Sequence, residues 1–149
     1  MIVLFDGEYD FLSNFYHSPF EWNGITFPTV ENWFQAWKTT DEDEFYAIAT
    51  ADTPGKSKRL GRKCTLRPDW EAIKVDVMRA GLRYKFQNPE LCHKLLSTGN
   101  EELVEGNSWH DNTWGNCVCQ NCQNTPGRNM LGMLLMELRT EIQYEEINK

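Results

Sequence analysis

Glu31, Gln35 and Lys38 set a carboxylate, an amide and an amine at spacings of i, i+4 and i+7 within an otherwise largely apolar stretch. On a helix those spacings fall along one side. A carboxylate so placed can take or give a proton, and an amine whose pKa is lowered by burial becomes a nucleophile. The plainer alternative is three solvated helix residues, which composition alone favours. A second constellation, Asp111 and Trp114, lies in a polar loop bounded by Gly106-Asn107 and Gly115. An indole there can stack on a base or ring, and a carboxylate three residues earlier can bind a ribose hydroxyl or position water. The alternative is an aspartate that makes a turn and a tryptophan that plugs the core.

Charge is unevenly distributed. Fifteen Lys and Arg against 22 Asp and Glu leave a net charge of -7, which argues against holding nucleic acid by wholesale phosphate neutralisation. Yet Lys56, Lys58, Arg59, Arg62, Lys63 and Arg67 follow one another with no acid among them. That run is either a solvated face or a seat for a phosphate or pyrophosphate, and a small phosphorylated ligand suits it better than a long duplex. Cys117, Cys119 and Cys122 form Cys-x-Cys-x-x-Cys, able to clamp a tetrahedral metal with His110, Cys64 or Cys92 as fourth ligand. The set is incomplete as a motif, so a loop of free thiols is expected and no metal is assigned. His17 and His93 read as ordinary polar residues. Five cysteines without an export signal point to reduced thiols in a cytoplasm rather than a disulfide framework. No Ser-His-Asp order, Walker string or dinucleotide glycine fingerprint is present, so proteolysis, kinase action and nicotinamide redox chemistry are unsupported and no cofactor is expected.

These residues need a scaffold. With 149 residues, 40% of them hydrophobic, the chain is expected to be one domain, 1–149, with one core. No apolar run approaches the ~18 residues of a membrane span, and Asp6, Glu8 and Asp10 replace a basic leader. Residues 1–28 mix β-formers (Ile2, Val3, Leu4, Phe5) with turn signals, and Asn23-Gly24 between Phe20-Glu21-Trp22 and Ile25-Thr26-Phe27 predicts a hairpin. Thr29 is the expected N-cap of a helix of about ten residues buried through Val30, Trp33, Phe34 and Trp37. A second helix is expected from near Thr40 to Ala51. Asp69 can cap a longer one carrying Trp70, Ile73, Val77, Ala80 and Tyr84; Pro89 opens another through Leu91, Leu95 and Leu96. Leu103-Val104 is β-like. Leu131, Leu134, Leu135, Leu138 and Ile142 stripe the last helix, with Glu137, Arg139 and Glu141 on its polar face. The fold class is mainly α, an α+β arrangement with a few short strands: a compact helical domain with an N-terminal β-hairpin.

Specific strings add to this. Phe11-Leu12-Ser13-Asn14-Phe15-Tyr16, then Pro28-Thr29-Val30-Glu31-Asn32-Trp33-Phe34-Gln35-Ala36-Trp37-Lys38, resemble the opening of the NADAR family. Gly61-Arg62, Arg67-Pro68-Asp69-Trp70, Thr98-Gly99, Leu103-Val104-Glu105, Asp111-Asn112-Thr113-Trp114-Gly115 and Gly127-Arg128-Asn129-Met130-Leu131-Gly132 continue it in order over essentially the whole chain. The commoner family pattern lacks the three cysteines between Gly115 and Gly127. The resemblance implies hydrolysis of an N-glycosidic bond, in a phosphoribosylated pyrimidine of riboflavin synthesis or in ADP-ribose attached to guanine of DNA or RNA. The resemblance points to Lys38 as the amine that opens the ribose to an imine; residue chemistry adds Glu31 as proton donor or acceptor and Asp111 as a carboxylate able to position water, and these three are the catalytic candidates. Asn14, Phe15, Gln35, Arg62, Trp114 and Asn129 are the candidate substrate-binding set; for Asn14 the match to the family string favours a ligand contact over a turn role, and Asn129 is an N-cap or a ligand contact. The rival expectation is a non-catalytic module that binds NAD-derived or ADP-ribose ligands. A role in reversing a toxin's modification of nucleic acid is a further possibility the resemblance raises.

Overall fold

A computed structural model describes residues 1–148. Its chain contacts divide into two units, Asn14–Asn88 and Met1–Ser13 with Pro89–Lys149. In the first unit, strands β1 (Phe20–Trp22) and β2 (Ile25–Phe27) pair antiparallel, Phe20 opposite Phe27. Asn23 and Gly24 both take positive φ (52° and 77°), the turn that matches the strand twist and that these two residue types tolerate. Helix α1 (Val30–Ala36) follows, then α2 (Glu42–Ala49), α3 (Pro54–Lys63) and α4 (Trp70–Lys85). α1 is the hub: it packs on α2, α3 and α4, and every one of its residues is buried. The hairpin's aromatics complete the core. Phe27 meets Trp33 edge-on at 5.0 Å, Phe20 stacks on Tyr84 at 5.5 Å, and the Trp33 indole donates to the Val77 carbonyl at 2.8 Å. The buried rings of Phe27 and Trp33 each stabilise the fold by about 1.5–3 kcal/mol before entropy is counted.

The first two helices are shorter than their periodicity suggests. α1 ends at Ala36, so Lys38 lies in the turn after the helix and not on its face. α2 starts at Glu42 because the Asp41 carboxylate accepts from the Glu44 amide at 2.8 Å and caps it there. The basic run from Lys56 to Lys63 lies on α3, capped by Thr53 with Pro54 in its first turn, and Arg67 follows beyond the helix. Asp69 precedes α4 but makes no cap bond, because its carboxylate pairs with Arg67 at 2.6 Å.

In the second unit, α5 (Pro89–Ser97) and α6 (Met130–Ile147) pack through Leu91, Leu95, Leu131, Leu134, Leu135 and Leu138. Of the amino-terminal β-formers only Ile2 pairs, in a single parallel bridge to Leu103, while Val3 and Leu4 stay exposed and Gly7–Leu12 winds into a 3-10 turn. Propensity without a full partner strand makes no ladder. Arg139, expected on the polar face of α6, is buried: its guanidinium donates to the Thr98 hydroxyl and the Glu101 carbonyl, both at 2.8 Å. Two short parallel strands that the sequence did not signal, β3 (Gly106–Asn107) and β4 (Asn116–Cys117), frame the Asp111–Trp114 loop. Among the described residues no helix is long and apolar enough to cross a membrane.

Candidate active site

α1 is unusual in burying three polar side chains: Glu31, Asn32 and Gln35 are 8%, 0% and 3% exposed. Buried polar groups cost free energy unless they find partners, so each position demands a reason. Asn32 has one. Its amide nitrogen reaches the carbonyls of Ile48, Ala49 and Ala51 at 3.1–3.3 Å, and its oxygen accepts from the Thr29 hydroxyl at 2.7 Å. It therefore closes the end of α2 onto the start of α1, a structural role that no sequence signal announced.

Glu31 and Gln35 face elsewhere. The Gln35 amide nitrogen lies 3.5 Å from a Glu31 carboxylate oxygen, and the Gln35 amide oxygen is buried without a partner. The Asn14 side-chain oxygen is also buried and unpartnered, while the Asn14 carbonyl accepts from the Glu31 amide at 3.1 Å. Two orphaned acceptors around one buried carboxylate suit a site that awaits a donor-bearing ligand. Phe15, beside Asn14, is 46% exposed.

Lys38 completes the group. Burial pulls its amine below the ordinary lysine range; the Glu31 carboxylate opposes that pull, and the cations Arg62 and Lys58 of α3 add to it. Cys64 also acts on the amine, yet burial, reinforced by Glu44, pushes its thiol up, and it donates to the Gly61 carbonyl at 3.2 Å. At neutral pH the thiol is uncharged, so Glu31 is the anion among the groups that act on Lys38. The turn is held firmly. The Arg67 amide donates to the Lys38 carbonyl at 2.7 Å, the Lys38 amide to Gln35 at 3.2 Å, and the Thr39 hydroxyl to Glu44 at 2.8 Å. Thr39, Glu44 and the Arg67 backbone escaped sequence reasoning, since only the fold brings them to this turn.

Gly61 sets how closely α3 approaches. A Cβ there would overlap the Gln35 amide oxygen and lie 3.0 and 3.1 Å from Gln35 Cδ and Cβ. Gly61→Ala is therefore expected to displace the Gln35 side chain, to cost about 1–3 kcal/mol of stability, and to weaken substrate binding. Chemical denaturation together with KM measures both. An unchanged midpoint and KM would show that α3 adjusts freely.

A cleft of about 590 Å³ lined by Trp22, Trp37, Phe45, Tyr46 and Arg67 also opens in this unit, but neither Glu31 nor Lys38 lines it.

Asp111, Trp114 and Asn129 belong to the other unit. One Asp111 carboxylate oxygen accepts from the amides of Thr113 and Trp114 at 3.1 and 2.9 Å, the turn-making arrangement raised as the alternative. Asn129 takes left-handed φ (50°); its side chain accepts from the Glu105 amide at 2.9 Å and donates to the Leu103 carbonyl at 2.8 Å, so it makes no N-cap bond to α6. Glu31, Gln35, Lys38, Arg62 and Asn14 thus gather in one unit, and these three gather in the other.

A buried carboxylate beside a depressed lysine, under a cationic helix, in a helical fold with a small hairpin defines a class. The chain belongs to the NADAR family: residues 4–143 match the NADAR domain, a span that includes both units. It is 40% identical over 142 residues to the N-glycosidase YbiA of Shigella flexneri serotype 5b, covering 93% of this chain and 85% of that one. The NMR structure of YbiA from E. coli superposes with a TM-score of 0.86 at 37% identity, covering 100% of this chain and 89% of that one. A riboflavin biosynthesis protein of Vibrio vulnificus is 38% identical over 141 residues, 93% of this chain and 37% of the relative.

Proposed function

We propose that this protein is an N-glycosidase that hydrolyses a phosphorylated ribosyl N-glycoside, with Lys38 as nucleophile and Glu31 as the proton donor and acceptor. The class, a hydrolase of N-glycosyl bonds, follows from the family and from relatives so named along 93% of the chain. One observation carries the mechanism: the half-buried Lys38 amine has its pKa lowered and is faced by the buried carboxylate of Glu31.

Attack needs a neutral amine, and the depressed pKa raises the neutral fraction at pH 7. The Glu31 carboxylate takes a proton from the Lys38 ammonium, the freed Nζ lone pair forms a bond to the anomeric carbon as the bond to the base nitrogen breaks, and the Glu31 carboxylic acid so formed gives that proton to the departing nitrogen. Loss of a proton from Nζ and opening of the ribose, with a proton taken up by the ring oxygen, yield an imine. Glu31, now a carboxylate, deprotonates the water that adds to the imine carbon; collapse releases the sugar and restores the amine. Arg62 and its neighbours on α3 supply the cationic seat for phosphate. The unpartnered Asn14 and Gln35 oxygens can accept from ribose hydroxyls.

A small phosphoribosyl pyrimidine is the substrate class this reading favours, because the chain's net charge of -7 suits a small anion better than a polynucleotide, and a relative bears a riboflavin-biosynthesis name. Side-by-side assays with riboflavin-pathway phosphoribosyl pyrimidines and with an ADP-ribosylated guanine oligonucleotide decide it. Release of sugar phosphate from the pyrimidines is the expected result; cleavage of the oligonucleotide alone would move the substrate to ADP-ribose, and tight binding without cleavage of either would make the protein a reader.

Glu31→Gln separates the carboxylate's two effects. Losing a general acid should lower kcat by about 10²–10⁴-fold. Because the Glu31 charge holds the Lys38 pKa up against burial, removing it should let that pKa fall further, and the acid limb of the residual pH profile should move to lower pH. An acid limb that stays in place would show that Lys38 does not govern it.

A further inference from the structure

The structure assigns His110, Cys117, Cys119 and Cys122 as the four ligands of a structural zinc ion. Their donor atoms all lie within 4.8 Å of one another. His110 Nδ1 is 3.4 Å from the sulfurs of both Cys119 and Cys122 and 3.9 Å from that of Cys117. Zinc bonds of about 2.3 Å to sulfur and about 2.0–2.1 Å to nitrogen, at tetrahedral angles, put ligand atoms about 3.6–3.8 Å apart. The observed spacings bracket that value.

Hydrogen bonding does not account for the convergence. One imidazole nitrogen makes one hydrogen bond, as donor or as acceptor, so three sulfurs around a single Nδ1 exceed what it can use. A disulfide would join two of the thiols and leave the third and the imidazole without purpose. The sequence left the fourth ligand open among His110, Cys64 and Cys92; Cys64 donates to the Gly61 carbonyl in α3 and Cys92 sits on α5, whereas His110 is the residue that meets the three thiols.

The backbone is shaped for this set. His110 takes a left-handed φ of 68°, a conformation that needs support from its surroundings, and Asn107 supplies it by donating to the Asp111 carbonyl at 2.8 Å and accepting from the Asp111 amide at 3.1 Å. Asn112 accepts from the Cys117 amide at 2.8 Å, placing the first thiol at the end of β4. Cys119 precedes and Cys122 ends a 3-10 turn (Gln120–Cys122), and the Cys122 amide donates to the Cys119 carbonyl at 3.1 Å. Four protein ligands leave no open position, so the ion is structural and does not activate water. It fastens the loop that carries Asp111 and Trp114 to the strand and turn that follow. The segment has little apolar burial of its own, Trp109 and Val118 being exposed, so metal binding and loop ordering are coupled. This assignment is independent of the glycosidase reading.

The test uses the full chain, purified under reducing conditions without chelator, with zinc measured by inductively coupled plasma mass spectrometry. One zinc per chain is expected. Replacing it with Co(II) should give the visible bands of a tetrahedral site together with thiolate-to-cobalt charge transfer. His110→Ala and Cys119→Ser should each lose stoichiometric metal, His110→Cys should keep it with an altered Co(II) spectrum, and Cys92→Ser should leave it unchanged. If a ligand variant fails to fold, the Co(II) spectrum of the wild-type chain decides alone. Substoichiometric metal after zinc is supplied to the reduced protein, or full occupancy in both His110→Ala and Cys119→Ser, would overturn the assignment. So would a metal-free chain whose mass shows a disulfide within the cluster.

Discussion

Lys38→Ala is expected to fold as the parent does and to lose turnover by at least about 10³-fold, or about 4 kcal/mol of transition-state stabilisation. The fold should survive because the turn at Lys38 is held through its backbone, by Arg67 and Gln35, and not through its side chain. The chemistry should not, because Lys38 is the amine on which the Glu31 carboxylate acts. Borohydride added during turnover should reduce the imine and leave the sugar on the peptide that contains Lys38. Lys85 is the informative control: it is a second amine in the same unit, 2% exposed, lying 5.7 Å from the Tyr16 ring centre and 5.2 Å from that of Phe86. An adduct on Lys85, or undiminished activity in Lys38→Ala, would eliminate the mechanism while leaving the family and the fold untouched.

Asn32→Asp is expected to be the most destabilising single substitution in α1, by about 3–5 kcal/mol, the cost typical of an unpaired buried charge. The native amide donates toward three carbonyls at the end of α2. A carboxylate would turn an acceptor toward those same oxygens in a pocket with no exposure at all. Urea denaturation at neutral pH measures the loss. Part of it should return as pH falls, because a carboxyl whose pKa is raised by burial regains its proton in the folded state before the unfolded chain does. A loss below about 1 kcal/mol would mean that water reaches the site, since a solvated hydrogen bond contributes no more than that.

Local rules succeeded where the decisive interaction spans no more than about four residues. The Asn23-Gly24 turn, the Thr29 cap and Pro54 or Pro89 in a first turn act through φ angles and nearby amides, so residue type is enough. They failed where a distant partner competes. Arg139 sat on the polar side of a stripe yet is buried because Thr98 and the Glu101 carbonyl, remote in sequence, receive it. Asp69 is the local exception: it had a cap position available and gave its carboxylate to Arg67, its near neighbour in sequence.

The site divides along the same line. Residue types and ordered strings were sufficient to single out Glu31, Gln35, Lys38, the basic run and the three clustered cysteines, because carboxylate, amine and thiol chemistry belongs to the side chain itself. Only the tertiary structure decided that Glu31 is buried, that Lys38 lies in a turn beyond its helix with a lowered pKa, and that His110 rather than Cys64 or Cys92 meets the thiols. The reason is physical: desolvation and ligand geometry depend on which groups from remote segments surround an atom, and sequence spacing carries no such distance.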